Sequence, residues 1–314
     1  MARRAPAIGL VVTRSGEALA VLVLLASLVF FALRLLPGDP AALVLGDQAS
    51  PRELALLRNR LHLDEPMAKQ YGRFLWGLPR LDFGESLRRP GVRASSRVAV
   101  ALGPTAELTF LAMGIGATGG LAVAVLAVGP WLGRRRRYVD RALVVVAATP
   151  LLSFAPLFTY LLAARWRVVP LPGDPDAGFR GALFAAGLLA IPLAAQLGRI
   201  TRAALAEVVD LPFIVVARAK GGSSARAFWL HALPACVGPV VTVLATQLGA
   251  LLGGAVVLER LFERPGLGTL ILEAYASRDL PVLEAGVVAA GALFVFAQTG
   301  AAFVHAALDP RVRS

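Results

Sequence analysis

Six stretches of 18 or more mostly apolar residues divide this 314-residue chain, at about 17–36, 105–129, 138–163, 181–200, 239–258 and 283–307. A 20-residue helix rises about 30 Å, the thickness of a bilayer's hydrocarbon core. The runs therefore read as six transmembrane helices, in an all-α polytopic protein whose residues 1–314 form one membrane domain. Composition agrees: 57% of residues are hydrophobic and 17% charged, with a mean hydropathy of +0.69. That balance excludes a soluble enzyme and a disordered chain. A formal net charge of +12 would suggest nucleic acid in a soluble protein. Here the bases lie between apolar runs, so they fit a cytoplasmic membrane face, with no nucleic-acid partner. The single cysteine, Cys236, excludes an intrachain disulfide.

Arg3, Arg4 and Arg14 precede the first run, as they would in a signal peptide. No small-x-small cleavage site follows, and the run ends in Arg34 and a turn, so it reads as an uncleaved first span. Raw counts of bases on the two sides nearly tie, but the orientation rule concerns short connections. The short second connection carries Arg134, Arg135, Arg136 and Arg137 with no acid. Both termini are therefore expected to be cytoplasmic.

Two connections are too long to be turns. In 37–104, expected outside, Ser50-Pro51-Arg52-Glu53 is a capping box with proline at the first helical position. Leu54, Leu57 and Leu61 follow at helical spacing. Asp64-Glu65-Pro66 then opens a second helix with an apolar face of Met67, Tyr71, Phe74 and Leu75. This segment reads as a folded extracytoplasmic cap, equally a structural lid or a docking surface. The inner connection, 201–238, has two helical stretches flanking Gly221-Gly222-Ser223-Ser224. With Arg218 and Lys220 at its centre, it reads either as a solvated basic loop or as a docking knob for a soluble partner.

Several chemistries are missing. Lys220-Gly221-Gly222-Ser223 places the lysine before the glycines and is no phosphate loop. Gly-x-Gly-x-x-Gly occurs at 114–119, but inside an apolar run with no preceding strand. Its glycines, with Gly116/Gly120 and Gly249/Gly253 four apart, suit close helix packing instead. His62, His231 and His305 lie in no zinc pattern, and the serine-hydrolase motifs are absent. No catalytic constellation, metal site or bound cofactor is expected. Glu107, Asp140, Arg141, Glu284 and His305 fall near run ends, so no proton relay occupies a central position. The polar residues within the runs are mostly Gln196, Thr242, Thr246, Gln247, Gln298 and Thr299, which line a path without driving anything. If the chain transports, its energy comes from elsewhere.

At the inner connection, Ala217-Arg218-Ala219-Lys220-Gly221 and, further on, Leu233-Pro234 match in spacing the cytoplasmic motif of bacterial importer permeases. Pro37-Gly38-Asp39-Pro40, Asp64-Glu65-Pro66, Gln70-Tyr71, Trp76-Gly77, Asp82-Phe83-Gly84-Glu85-Ser86, the 259–268 stretch and Asp309-Pro310-Arg311 follow the same family's order. The chain thus resembles, along nearly its whole length, a permease subunit of ATP-binding-cassette (ABC) importers. The likeness is to the B-type component of the dipeptide/oligopeptide and nickel group. It departs from the pattern at Val215 and Val216, which replace Glu-Ala, at His231, which replaces Ile, and at Pro212-Phe213. The connection 164–180 is short for the family, and its second Leu-Pro-Gly-Asp-Pro, at 171–175, reads as turn chemistry.

The resemblance implies a bacterial inner-membrane protein paired with a second permease as a heterodimer. It also implies two cytoplasmic ATPase subunits, which alone hold ATP, and an extracytoplasmic substrate-binding protein. By the same resemblance, ATPase coupling falls to Glu207, Ala217, Arg218, Ala219, Lys220, Gly221, Leu233 and Pro234. The competing reading is a secondary transporter for a small solute, which the lack of central charges disfavours. A membrane enzyme comes third.

Overall fold

A run of apolar side chains in lipid leaves the backbone no hydrogen-bond partner but itself, so such runs become helices. The computed structural model describes residues 5–35, 39–46, 49–128 and 136–308. Its first seven helices are α1 (Ala5–Arg34), α2 (Pro40–Leu45), α3 (Pro51–Arg60), α4 (Met67–Gly77), α5 (Ala94–Val128), α6 (Arg136–Ala148) and α7 (Leu151–Thr159). Then come α8 (Gly178–Val208), α9 (Pro212–Ala219), α10 (Ser224–Ala227), α11 (Leu233–Ala235), α12 (Val237–Leu261), α13 (Leu267–Ala276) and α14 (Leu280–Leu308). Among the described residues no strand forms, and one isolated bridge joins Glu85 and Arg93.

Helices α1, α5, α8, α12 and α14 are each long and apolar enough to cross a membrane. The third apolar run, read above as one span over 138–163, is broken. Arg141–Ala148 and Leu151–Arg165 meet at 96°. Pro150 stands at the break in an extended conformation and lacks the backbone N–H that would continue the helix across it. Arg134 and Arg135, which carry much of the orientation argument, lie outside the described residues, as do 36–38 and Asp309-Pro310-Arg311.

The chain divides into two units. One consists of 13–105 and 264–296. Here Asp39 caps α2 and accepts from Arg58 at 2.6 and 2.9 Å. The bond from Arg58 holds the Asp39 carboxyl below its usual range. Ser50 and Glu53 form the full capping box at α3, with Pro51 in the first turn. Gln70 of α4 donates to the carbonyls of Leu63 and Glu65 and accepts from Arg34 Nε. Tyr71 and Ser27 share a 2.7 Å hydroxyl bond. Phe30, Phe31, Tyr71 and Phe74 cluster with ring centroids 5.1 to 5.3 Å apart. Of the face expected on α4, Tyr71, Phe74 and Leu75 are half-buried, but Met67 is exposed because it opens the helix.

Buried Asp279 closes the same unit. It accepts from the Ser86 hydroxyl and from Leu87 N at 3.0 Å, with Arg97 at 3.4 Å. The Asp-Phe-Gly-Glu-Ser string thus anchors its turn to the residue just before α14. A Cβ on Gly77 would run into the Asp82 carbonyl, which explains the glycine after Trp76.

The other unit holds 106–263 with the chain's two ends. Its core joins Leu108, Ala112, Leu189, Leu193, Leu251 and Leu258 from α5, α8 and α12. α8 packs on both α6 and α12. Gly116 and Gly120 let α5 approach α8: a Cβ would come within 2.6 Å of Leu193 at Gly116, and 2.9 Å of the Ala194 carbonyl at Gly120. On α12 the expected glycine is displaced by one. Gly253 faces open space, whereas a Cβ on Gly254 would lie 2.7 Å from Leu189. A one-residue step turns a helix by about 100°, enough to exchange an open face for a packed one.

Candidate functional site

The segment between α8 and α12 is built on a small core that it shares with the C-terminal ends of α5, through Ala124, and α8, through Leu205. After α8, Leu211 is extended and Pro212 starts α9, its fixed φ suited to a first helical turn. Only Ile214 of this eight-residue helix is fully buried, and Ala217 lies beside it on the inner face. Both pack against Leu205, Ala227, Phe228, Ala232 and Cys236. Spacing of i and i+3 sets that inner face, so Phe213, Val215, Val216 and Ala219 face outward with Arg218. The bases at the C-terminal end also suit the helix dipole there.

Two glycines end α9 for different reasons. Gly221 has φ +89°, a left-handed conformation, and its N–H donates to the Arg218 carbonyl at 3.0 Å. Space around it is open, so only the backbone requires glycine. At Gly222 a Cβ would sit 2.9 Å from the Ala217 carbonyl oxygen, so close approach is what demands glycine there. Ser223 then caps α10, accepting from Arg226 N at 3.2 Å. From Phe228 to Ala232 the helix widens into a π-turn ahead of Pro234. That proline has no N–H and would crowd the carbonyl four residues back, and the wider turn relieves both problems.

The eight residues expected to couple surround this core. Arg218, Ala219, Lys220 and Gly221 form one continuous exposed end of α9, and Glu207 and Pro234 are also exposed. Leu233 is half-buried against the core. Ala217 is half-buried in the same core, so only Ala219 of the expected pair of small outward residues lies on the outer face. Burial raises the Cys236 thiol pKa, and the negative charge of Glu207 raises it further.

Phe213, Val215, Val216, Trp229 and Leu230 are exposed apolar residues that the family motif does not include as such. Val215 and Val216 stood out only as departures from a pattern. Taking Ile214 and Ala217 as the inner face would have turned both outward. On α9 itself, Phe213, Val215 and Val216 expose apolar side chains just ahead of the bases Arg218 and Lys220.

The fold defines a polytopic membrane protein with a short helical knob between two of its long helices. Comparison with known proteins supplies the family. Residues 116–314 match the model of binding-protein-dependent transport system inner membrane components, and 7–84 match the N-terminal model of such components. A permease protein named for a peptide transport system in Brucella abortus is 34% identical over 97% of this chain and 98% of its own. A glutathione transport system permease of Salmonella paratyphi A is 33% identical over 93% and 94%. The MetNI methionine ABC transporter, in an inward-facing form, shares the fold with a TM-score of 0.56 at 18% identity. That match covers 68% of this chain and 96% of the MetNI chain. The chain belongs to the binding-protein-dependent family: it is an inner-membrane permease component of an ABC importer, and works with ATPase and binding-protein subunits.

Proposed function

We propose that the protein carries short peptides across the bacterial inner membrane as one half of a permease heterodimer, with α9 as the contact for a cytoplasmic ATPase. The geometry of α9 is the observation that carries the coupling reading. It is a short helix seated on a core shared with the ends of α5 and α8, with apolar and basic side chains exposed on its outer side. ATP-driven closure of the two ATPases would push on that face, and the core under Ile214 would pass the movement to α8 and α12. A packed interface with two discrete arrangements transmits such a displacement. In this reading the termini and α9 are cytoplasmic and the 39–93 segment faces the binding protein. Arg218 and Lys220 meet acids on the ATPase, while Val215, Val216 and Ala219 enter its groove.

The peptide reading draws support from the relatives named for peptide and glutathione transport, glutathione itself being a tripeptide. Reconstitution tests it. Proteoliposomes holding both permeases and both ATPases should accumulate a labelled tripeptide only with ATP and the loaded binding protein. The permease alone, given an ion gradient, should move none. Gradient-driven uptake without ATPases would favour the secondary-transporter reading instead.

A further inference from the structure

Three carboxamides lie at one level of the unit formed by 106–263 and the chain's ends, two of them in direct contact. Gln247 Nε2, on α12, donates to Gln196 Oε1, on α8, at 2.6 Å. Gln298 Nε2, on α14, reaches the carbonyl of Thr246 at 3.4 Å, a long bond. All three side chains are half-buried rather than enclosed, and Thr246 is exposed. Gln196 and Gln247 lie roughly 15–18 Å along their helices from the α9–α11 segment, at 1.5 Å per residue.

One interhelical bond accounts for part of this group, since glutamine commonly joins helices in lipid. It leaves an excess. Among the described residues, Gln196 Nε2, Gln247 Oε1 and Gln298 Oε1 have no hydrogen-bond partner. Turning the paired amides over leaves the same inventory of one NH₂ and one oxygen. Carboxamide donors and acceptors left open toward hydrocarbon are costly, so this face does not belong against lipid tails. Thr242 and Thr246, four apart on α12, continue the polar line toward the α9–α11 segment.

We propose that Gln196, Gln247 and Gln298 form a binding station in the translocation path that takes the backbone amide groups of the passing peptide. The proposal rests on the peptide reading above and names the residues that would serve it. A peptide bond offers one N–H and one carbonyl in the same geometry as a carboxamide, so open donors and acceptors on the wall pair with it directly. Neutral amides recognise the backbone whatever the side chains. They also hold it without an ion pair, weakly enough for release, as any conducting site must.

The test uses the assembled transporter, both permeases with their ATPases in proteoliposomes, and binding protein saturated with one of two probes. The probes are labelled trialanine and trialanine N-methylated at both peptide nitrogens. Wild type should transport trialanine about tenfold faster than the methylated form. In Gln196→Met and Gln247→Met, which keep length and lose the hydrogen bonds, that preference should fall below about twofold. Should either variant fail to assemble, Gln298→Met carries the test, because its bond to Thr246 is too long to hold the helices together. A tenfold preference retained in the assembled variants, or no preference in wild type, would overturn the proposal and leave the glutamines as helix contacts. Wild type that transports neither probe would instead overturn the peptide reading, and this station with it.

Discussion

Changing Gly221 to Val is expected to leave membrane insertion and protein level unchanged while weakening ATPase attachment and abolishing uptake. Nothing lies within 4 Å of a Cβ placed on Gly221. The effect comes from the backbone alone. At φ +89° a β-branched residue is strained by roughly 1–2 kcal/mol. Relief of that strain turns the end of α9, taking Arg218, Ala219 and Lys220 out of register with their partner. A loss of that size corresponds to about a 5- to 30-fold fall in ATPase recovered with the permease. Gly221→Asn should fall less, because asparagine tolerates the left-handed region better. Co-purification at equal membrane levels, alongside uptake, measures both. Equal recovery with normal uptake would return this segment to the status of a solvated basic loop.

The second large effect is expected at Arg34. Its guanidinium lies 2.7 Å from Glu284, 3.2 Å from Gln70, and 3.4 Å from the centre of the Phe30 ring. Glu284 is buried, so Arg34→Met would strand its carboxylate without a counter-charge. Removing one partner of such a pair costs about 3–5 kcal/mol, whereas replacing both with apolar residues is often close to neutral. Thermal unfolding of the purified permease should therefore drop by roughly 10 °C in Arg34→Met. The double variant Arg34→Met/Glu284→Leu should recover most of that loss. A single variant as stable as the double would show that the pair does not hold α1 to α14 in this unit.

The parts of this protein legible in its sequence are those decided locally. Apolar length alone located the long helices, and Ser50 to Glu53 announced a cap that forms in full. Gly221 was legible because paired glycines end helices. What escaped depends on partners distant in sequence. Nothing near Ser86 or Arg34 points to Asp279 or Glu284, and those contacts exist only once the unit folds. The break at Pro150 escaped because proline is tolerated within other helices here, at Pro104 and Pro192. Helix faces were the hardest to read. An eight-residue helix offers too few apolar positions to define a buried side, so Val215 and Val216 read as lost motif residues rather than as surface. On α12 the same ambiguity exchanged Gly254 for Gly253.

Coupling through the exposed end of α9 is the central claim, and site-directed cross-linking tests it most directly. The chain's single cysteine, Cys236, is buried, and burial raises its thiol pKa, so it stays a poor target. A thiol introduced as Ala219→Cys would be exposed, and one introduced as Arg52→Cys would lie on the surface of α3. In the assembled transporter a short bifunctional reagent on Ala219→Cys should capture an ATPase subunit, with a yield that changes when ATP is bound. The same reagent on Arg52→Cys should capture none. ATPase captured from position 52, or from neither position in a complex that still transports, would contradict the assignment.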